Sequence, residues 1–203
     1  AGTSKASETV EVFVPGNSKD ILVDQKHGND TLCKECESDT ICSYPCATIG
    51  KAFMIANVSG QTIRINTGEY YANNVVPRVK LLKVIASNSN AKVLIHCERS
   101  AACFRSNNSA FINSNGVEER FNYFPALFDG LTIANGENED GGCITATDAS
   151  RFKIKDTIFD NCVASQSGGA LYAKGATDIT IENVTFKNNI ATLYGGALRI
   201  SAT

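Results

Sequence analysis

Phe159-Asp160-Asn161-Cys162-Val163-Ala164-Ser165-Gln166-Ser167-Gly168-Gly169-Ala170-Leu171 is followed 27 residues later by Phe186-Lys187-Asn188-Asn189-Ile190-Ala191-Thr192-Leu193-Tyr194-Gly195-Gly196-Ala197-Leu198. The same residue types return at Phe, Asn, Gly-Gly and Ala-Leu, and each Gly-Gly pair begins seven positions after the asparagine. An earlier copy, from Ile133-Ala134-Asn135 to Gly141-Gly142-Cys143-Ile144, is one residue shorter. A fixed period with one residue type at each phase encodes a solenoid, in which every coil covers the apolar face of its neighbour.

Between the glycine pairs the apolar residues alternate. Phe152 and Ile154 are interleaved with Lys153 and Lys155, and one coil on, Ile179 and Ile181 with Thr180 and Glu182. Alternation of β-branched and aromatic residues predicts short strands with one face inward. The period places Ile144, Leu171 and Leu198 in one column, Phe159 and Phe186 in another, and Asn161 and Asn188 in a third. Lys155 then stacks on Glu182 and Asp160 on Lys187, so the outward neighbours have opposite signs. The asparagines read as a structural ladder, and the glycine pairs as corners that need φ > 0 or close backbone approach.

Upstream, Ile21-Leu22-Val23 reads as an N-terminal strand, followed by a turn around His27 to Asp30 and a cysteine-rich loop. Ile49, Ala52, Phe53 and Ala56 fall at i, i+3, i+4 and i+7, which predicts one amphipathic helix over 47–57 laid across the open end of the stack. Strands are expected at Gln61 to Ile65, Val79 to Ile85, Val93 to His96 and Leu127 to Ile133, with the first full coil starting near Gly68. A polar side loop is expected over 104–124, including the charge run Glu118, Glu119 and Arg120. The expected architecture is all-β, a right-handed parallel β-helix with a short N-terminal capping α-helix. It forms a single domain over 1–203: strand, cysteine-rich loop and helix in 1–60, coils in 61–203, most regular in 128–203.

Nineteen basic and twenty-one acidic residues give a net charge of −2, with no basic stripe to suggest a nucleic-acid partner. The eight cysteines, Cys33, Cys36, Cys42, Cys46, Cys97, Cys103, Cys143 and Cys162, gather around loops and adjacent coils. They read as disulfides formed in an oxidising compartment, with a zinc site on the first four as the rival. Sequons at Asn29, Asn57, Asn107 and Asn183 agree with a secreted or cell-surface chain. Ala1 opens no leader pattern, as expected of a mature chain, and no apolar run is long enough to insert in a membrane.

Val23-Asp24 through Gly28-Asn29-Asp30, Pro45-Cys46-Ala47-Thr48-Ile49, Gly60-x-Thr62-Ile63 and Gly68-x-Tyr70 resemble the start of parallel β-helix proteins of the pectate-lyase-like superfamily. The Phe-x-Asn-(Asn/Cys) and Gly-Gly-Ala-Leu copies resemble the repeats of chlamydial polymorphic membrane proteins and of related secreted protist and algal proteins. The resemblance implies the fold, and leaves open which of the fold's many functions applies.

Polysaccharide-cleaving proteins of this fold gather calcium-binding aspartates with a basic residue, or paired aspartates near a Gly-His-Gly segment. Neither set can be assembled here, and His27 and His96 read as structural. Glu137, Glu139 and Asp140 form a calcium candidate against a solvated acidic turn. Thr145, Tyr172 and Arg199 form a candidate exposed groove. The expectation is therefore a non-enzymatic structural or adhesive protein without a cofactor. It would associate with itself, through an uncapped last coil at Ala197, Leu198 and Ile200, or with another extracellular protein or glycan. The alternative is a carbohydrate-active enzyme or binding module for an acidic polysaccharide.

Overall fold

The alternating segments pair as parallel strands in the expected register. In the computed structural model, which describes residues 19–38, 41–79, 81–97, 101–112, 118–148, 151–175 and 178–201, Arg151–Lys155 lies beside Asp178–Glu182 with Phe152 against Ile179 and Ile154 against Ile181. The inward column runs through Ile21, Ile63, Val84, Phe128, Ile154 and Ile181. Its first five members are fully buried. Such a column is sequence-distant apolar surface removed from water at about 25 cal/mol per Å².

Among the described residues four all-parallel sheets run along the stack, with one short helix, so the fold is an all-β solenoid. The first has six strands in the order Ile21–Val23, Thr62–Ile65, Lys83–Ala86, Leu127–Asp129, Arg151–Lys155 and Asp178–Glu182. The second stacks Gly68–Ala72, Val93–Cys97, Leu131–Ala134, Ile158–Asp160 and Thr185–Lys187. A third joins Glu137–Asp140, Val163–Ser167 and Ile190–Ala191, and a fourth joins Phe104–Arg105, Ile144–Thr147, Leu171–Lys174 and Leu198–Ser201. The chain visits these sheets in the same order in each of the later coils. The Phe159 and Phe186 rings stack inside at 5.4 Å and 10°.

The corners are turned by left-handed residues. Gly130, Asp156 and Asn183 occupy one corner column with φ of 72°, 46° and 50°, and Asn135, Asn161 and Asn188 the next, at 64°, 56° and 54°. Asparagine and aspartate tolerate this region better than other side chains and bond along the stack. Asn161 Nδ2 donates to Asn135 Oδ1 at 2.9 Å, Asn183 Nδ2 to Asp156 Oδ1 at 2.6 Å, and Asn188 Nδ2 to Asp160 Oδ1 at 3.0 Å. At the Gly-Gly corner the two glycines serve different needs. Gly168 has φ of 65°, whereas a Cβ at 169 would lie 2.0 Å from the Gly196 carbonyl oxygen of the next coil.

Several expected boundaries shift for identifiable reasons. The helix spans Ile49–Ile55 rather than 47–57, because the Thr48 side chain accepts from Lys51 N and caps its start, while Ala56 is already extended. Asp30 fixes that cap, accepting from Ala47 N, Thr48 N and the Thr48 hydroxyl at 2.8, 3.1 and 2.7 Å. Ile49, Ala52 and Phe53 are buried, and Phe53 meets Phe104 at 5.8 Å, so the helix covers the first coils as expected. The first coil begins at Thr62, before Gly68. The Val79 to Ile85 strand starts only at Lys83, because Leu81 turns with φ of 57°. Leu127 to Ile133 is two strands broken at the Gly130 corner. The side insertion is an antiparallel hairpin of Asn107–Ile112 and Glu118–Tyr123, while Phe104–Arg105 belongs to the coil.

All eight cysteines pair: Cys33 with Cys46, Cys36 with Cys42, Cys97 with Cys103, and Cys143 with Cys162. The zinc reading of the first four gives way to two disulfides. Cys143–Cys162, buried at both ends, fastens one coil to the next.

Outward charges follow the stack with one change. Lys187 Nζ meets Asp160 Oδ2 at 3.0 Å, as the register requires. Lys155 lies beside Glu182 in register, yet Glu182 takes the diagonal Lys153 at 2.5 Å, and Lys155 turns to Asp156 at 3.2 Å. The Lys187 hydrogen bond, opposed by slight burial and helped by Asn188, holds the Asp160 carboxyl below its ordinary 3.8.

Two outcomes are expected. Gly169→Ala should destabilise the fold by more than about 3 kcal/mol, whereas Gly196→Ala, which meets nothing within 4 Å, should change it by under about 0.5 kcal/mol; urea unfolding compares them. Because the folded-state pKa of Asp160 is lowered, its contribution is present above 3.8 and lost as pH falls through the lowered value. Thermal midpoints measured during acidification should therefore fall less in Asp160→Asn than in the parent.

Candidate functional site

The outer surface of the five-stranded sheet carries a groove that combines an exposed aromatic ring with converging polar groups. Alternation sends Tyr70 and Ala72 inward and leaves Glu69 and Tyr71 outside, and register then places Leu94 beside Glu69 and His96 beside Tyr71. The outward rows continue through Thr132 and Ile158, and through Ala134 and Asp160. Tyr71 is 65% exposed, and its ring stacks on His96 at 5.4 Å and 27°.

Beside these rings the asparagine corner forms one wall of a groove of about 580 Å³, lined by Tyr71, His96, Asn135, Gly136, Glu137 and Asn161. The polar groups form a directional chain. Asn161 donates to Asn135 Oδ1, and Asn135 Nδ2 lies 2.9 Å from His96 Nδ1. With Asn135 donating, the imidazole accepts at Nδ1 and carries its proton on Nε2, which faces Glu69 Oε2 at 3.7 Å. The second asparagine ladder member is thus structural, as expected, and also presents an amide edge to the groove. A further groove on the other flank of the sheet is lined by Glu69, Lys92, Leu94, Thr132, Asp156 and Ile158, among others.

The residues singled out in the sequence are distributed differently. Glu137, Glu139 and Asp140 lie along an extended strand rather than in a ligand loop, and Glu139 is hydrogen-bonded by Gln166. Among the described residues no three His, Cys, Asp or Glu come together as metal ligands. Thr145, Tyr172 and Arg199 do stack in register, but they do not make a groove: Thr145 is buried with its hydroxyl donated to Asp140 O at 2.6 Å, and the Arg199 guanidinium sits 4.6 Å over Tyr194. His27 caps its own turn through Asp24 at 3.2 Å. His96, read as structural, is held by Asn135 and also lines the groove.

Of the sequon asparagines, Asn29 and Asn57 are exposed, Asn107 opens the hairpin strand, and the Asn183 amide nitrogen is engaged by Asp156. Ala197, Leu198 and Ile200 lie on the last described coil; Leu198 stacks on Leu171, and Ile200 on Ala173, and Ile200 is 51% exposed. Thr203 and Ala202 lie outside the described residues. No helix among the described residues is long and apolar enough to cross a membrane.

Tyr71 and Glu69 were not singled out in the sequence. The Tyr71 and His96 pair lies 25 residues apart in a front coil whose length differs from the 27-residue period, so the repeat does not point to it.

Comparison with known families gives a short match. Residues 183–201 match the Chlamydia polymorphic membrane protein (Chlamydia_PMP) repeat. No curated protein and no solved structure matches the chain. The matched segment begins at the left-handed Asn183 and ends with the strand Leu198–Ser201, so a repeat of this kind is laid out here as one run of parallel strands and corners.

Proposed function

We propose that the chain is a right-handed parallel β-helix of the pectate-lyase-like type, exposed at a cell surface or secreted, and acting as a non-catalytic adhesive or structural element. The single observation that supports it most is the coincidence of the polymorphic membrane protein repeat with the most regular coil. The four cross-links agree with an oxidising exterior, and a rigid stacked rod holds its outer faces in fixed positions for contact.

The proposal includes a joint. At the Gly-Gly corner, a Cβ at 142 would lie 2.3 Å from the Gly169 carbonyl oxygen, and one at 169 would lie 2.0 Å from that of Gly196, so in each case the second glycine admits the following coil. Gly196 meets nothing within 4 Å, and Ile190 and Ile200 in the same coil are 60% and 51% exposed. These features fit a further coil of the same kind, supplied by the same chain or by a second copy. End-to-end association through Leu198 and Ile200 is the form this takes between copies.

Beads coated with the purified chain should attach to cultured cells above albumin-coated beads; attachment no better than albumin contradicts the adhesive role. Sedimentation should show mass rising with concentration, and Gly196→Ala should abolish the rise while leaving the unfolding midpoint unchanged. A chain monomeric at every concentration rules out a second copy as the covering coil.

A further inference from the structure

We propose that the groove between Tyr71 and the Asn135–Asn161 ladder binds a neutral glycan, seating one pyranose ring on the exposed face of Tyr71. This rests on the adhesive reading above and names what the adhesin recognises.

Three properties of the groove converge on this ligand. First, Tyr71 has one face against His96 and is 65% exposed, so its ring is held in place while its other face is open. An aromatic face fixed in this way suits a flat, weakly polar partner, which the C–H face of a pyranose provides. Second, the surrounding groups alternate between donor and acceptor. Asn135 and Asn161 contribute amide edges and Glu137 contributes a carboxylate, while Glu69, on the neighbouring groove, reaches His96 Nε2 at 3.7 Å. Hydroxyls both donate and accept, so a sugar rim can satisfy this mixture, whereas an ammonium group would use only the acceptors. Third, no Lys or Arg is among the residues lining the groove, the Glu137 carboxylate does line it, and a second carboxylate, Glu69, lies 3.7 Å from His96. An anionic sugar would meet like charge here, which separates this site from one for acidic polysaccharide.

Geometry adds direction. The amides of Asn135 and Asn161 belong to successive coils, so the wall they form runs along the solenoid axis. A groove of about 580 Å³ lies within the range of about 300–1,000 Å³ common for small-ligand sites. The open, axial wall suits a linear chain more than a single enclosed sugar.

Calorimetric titration tests the proposal with cellohexaose, mannohexaose and maltohexaose as neutral probes, oligogalacturonate as an acidic probe and a lysine-rich peptide as a cationic one. At least one neutral hexaose should bind, Tyr71→Ala should weaken it by about tenfold or more, and Tyr71→Phe should keep most of the affinity. Tyr172→Ala, on another sheet, should bind as the parent does. Tyr71 is exposed enough for its removal to leave the fold intact, which the unfolding midpoint checks. Absence of binding to all three neutral probes, preference for oligogalacturonate or the peptide, or binding unchanged by Tyr71→Ala overturns the proposal. Bead attachment run in parallel separates it from the broader reading: attachment equal in parent and Tyr71→Ala discards the glycan groove alone, while absence of attachment discards the adhesive role.

Discussion

Every coil of this molecule depends on turning its corners without opening the stack. A parallel solenoid must change direction several times per coil while neighbouring backbones remain about 4.8 Å apart, and an ordinary L-residue in right-handed conformation cannot make these turns. The corners here use glycine, asparagine and aspartate, and in one case Leu81, with φ between 46° and 82°. Once the corners are set, the strands between them are placed in register and their alternate side chains enter one continuous core. Asparagine at the corners then adds a second function, because its amide reaches the next coil. The ladder, the buried columns and the outer rows all follow from the same geometric demand.

That demand also explains how a surface site arises on a repeated scaffold. The interior is filled by the columns from Ile21 to Ile181 and by the stacked phenylalanines, so variety is confined to outward positions and corners. At Tyr71, His96 and Asn135 the outward row and the corner ladder meet, and a hydrogen-bond chain fixes the imidazole orientation. The six-stranded sheet instead carries Arg151 with Asp178 at 3.0 Å and Lys153 with Glu182, a ladder of exposed pairs that supports register and contributes little to stability.

How much of this was legible beforehand depends on regularity. In residues 128–203 the period is written directly, and the columns Ile144, Leu171, Leu198 and Phe159, Phe186 appear as expected. Gly130 was harder to read, since a single glycine inside an apolar run does not announce a corner, and Leu81 has no left-handed preference at all. The front coils contain a hairpin between Arg105 and Phe124, which stretches the sequence distance between neighbouring strands and hides their register. The candidate groove was invisible for the same reason: Tyr71, His96 and Asn135 are neighbours only after coils of unequal length are aligned. The surface-groove candidate failed because register alone does not determine side-chain direction or burial, as Thr145 illustrates.

The most direct test of the stack is continuous-wave spin-label spectroscopy on Lys153→Cys with Thr180→Cys, outward partners in neighbouring coils. Their Cα atoms should lie about 5 Å apart, and the doubly labelled chain should show strong dipolar broadening absent from either single variant. Narrow spectra from that pair would contradict the stacking of these two strands, on which the whole account stands.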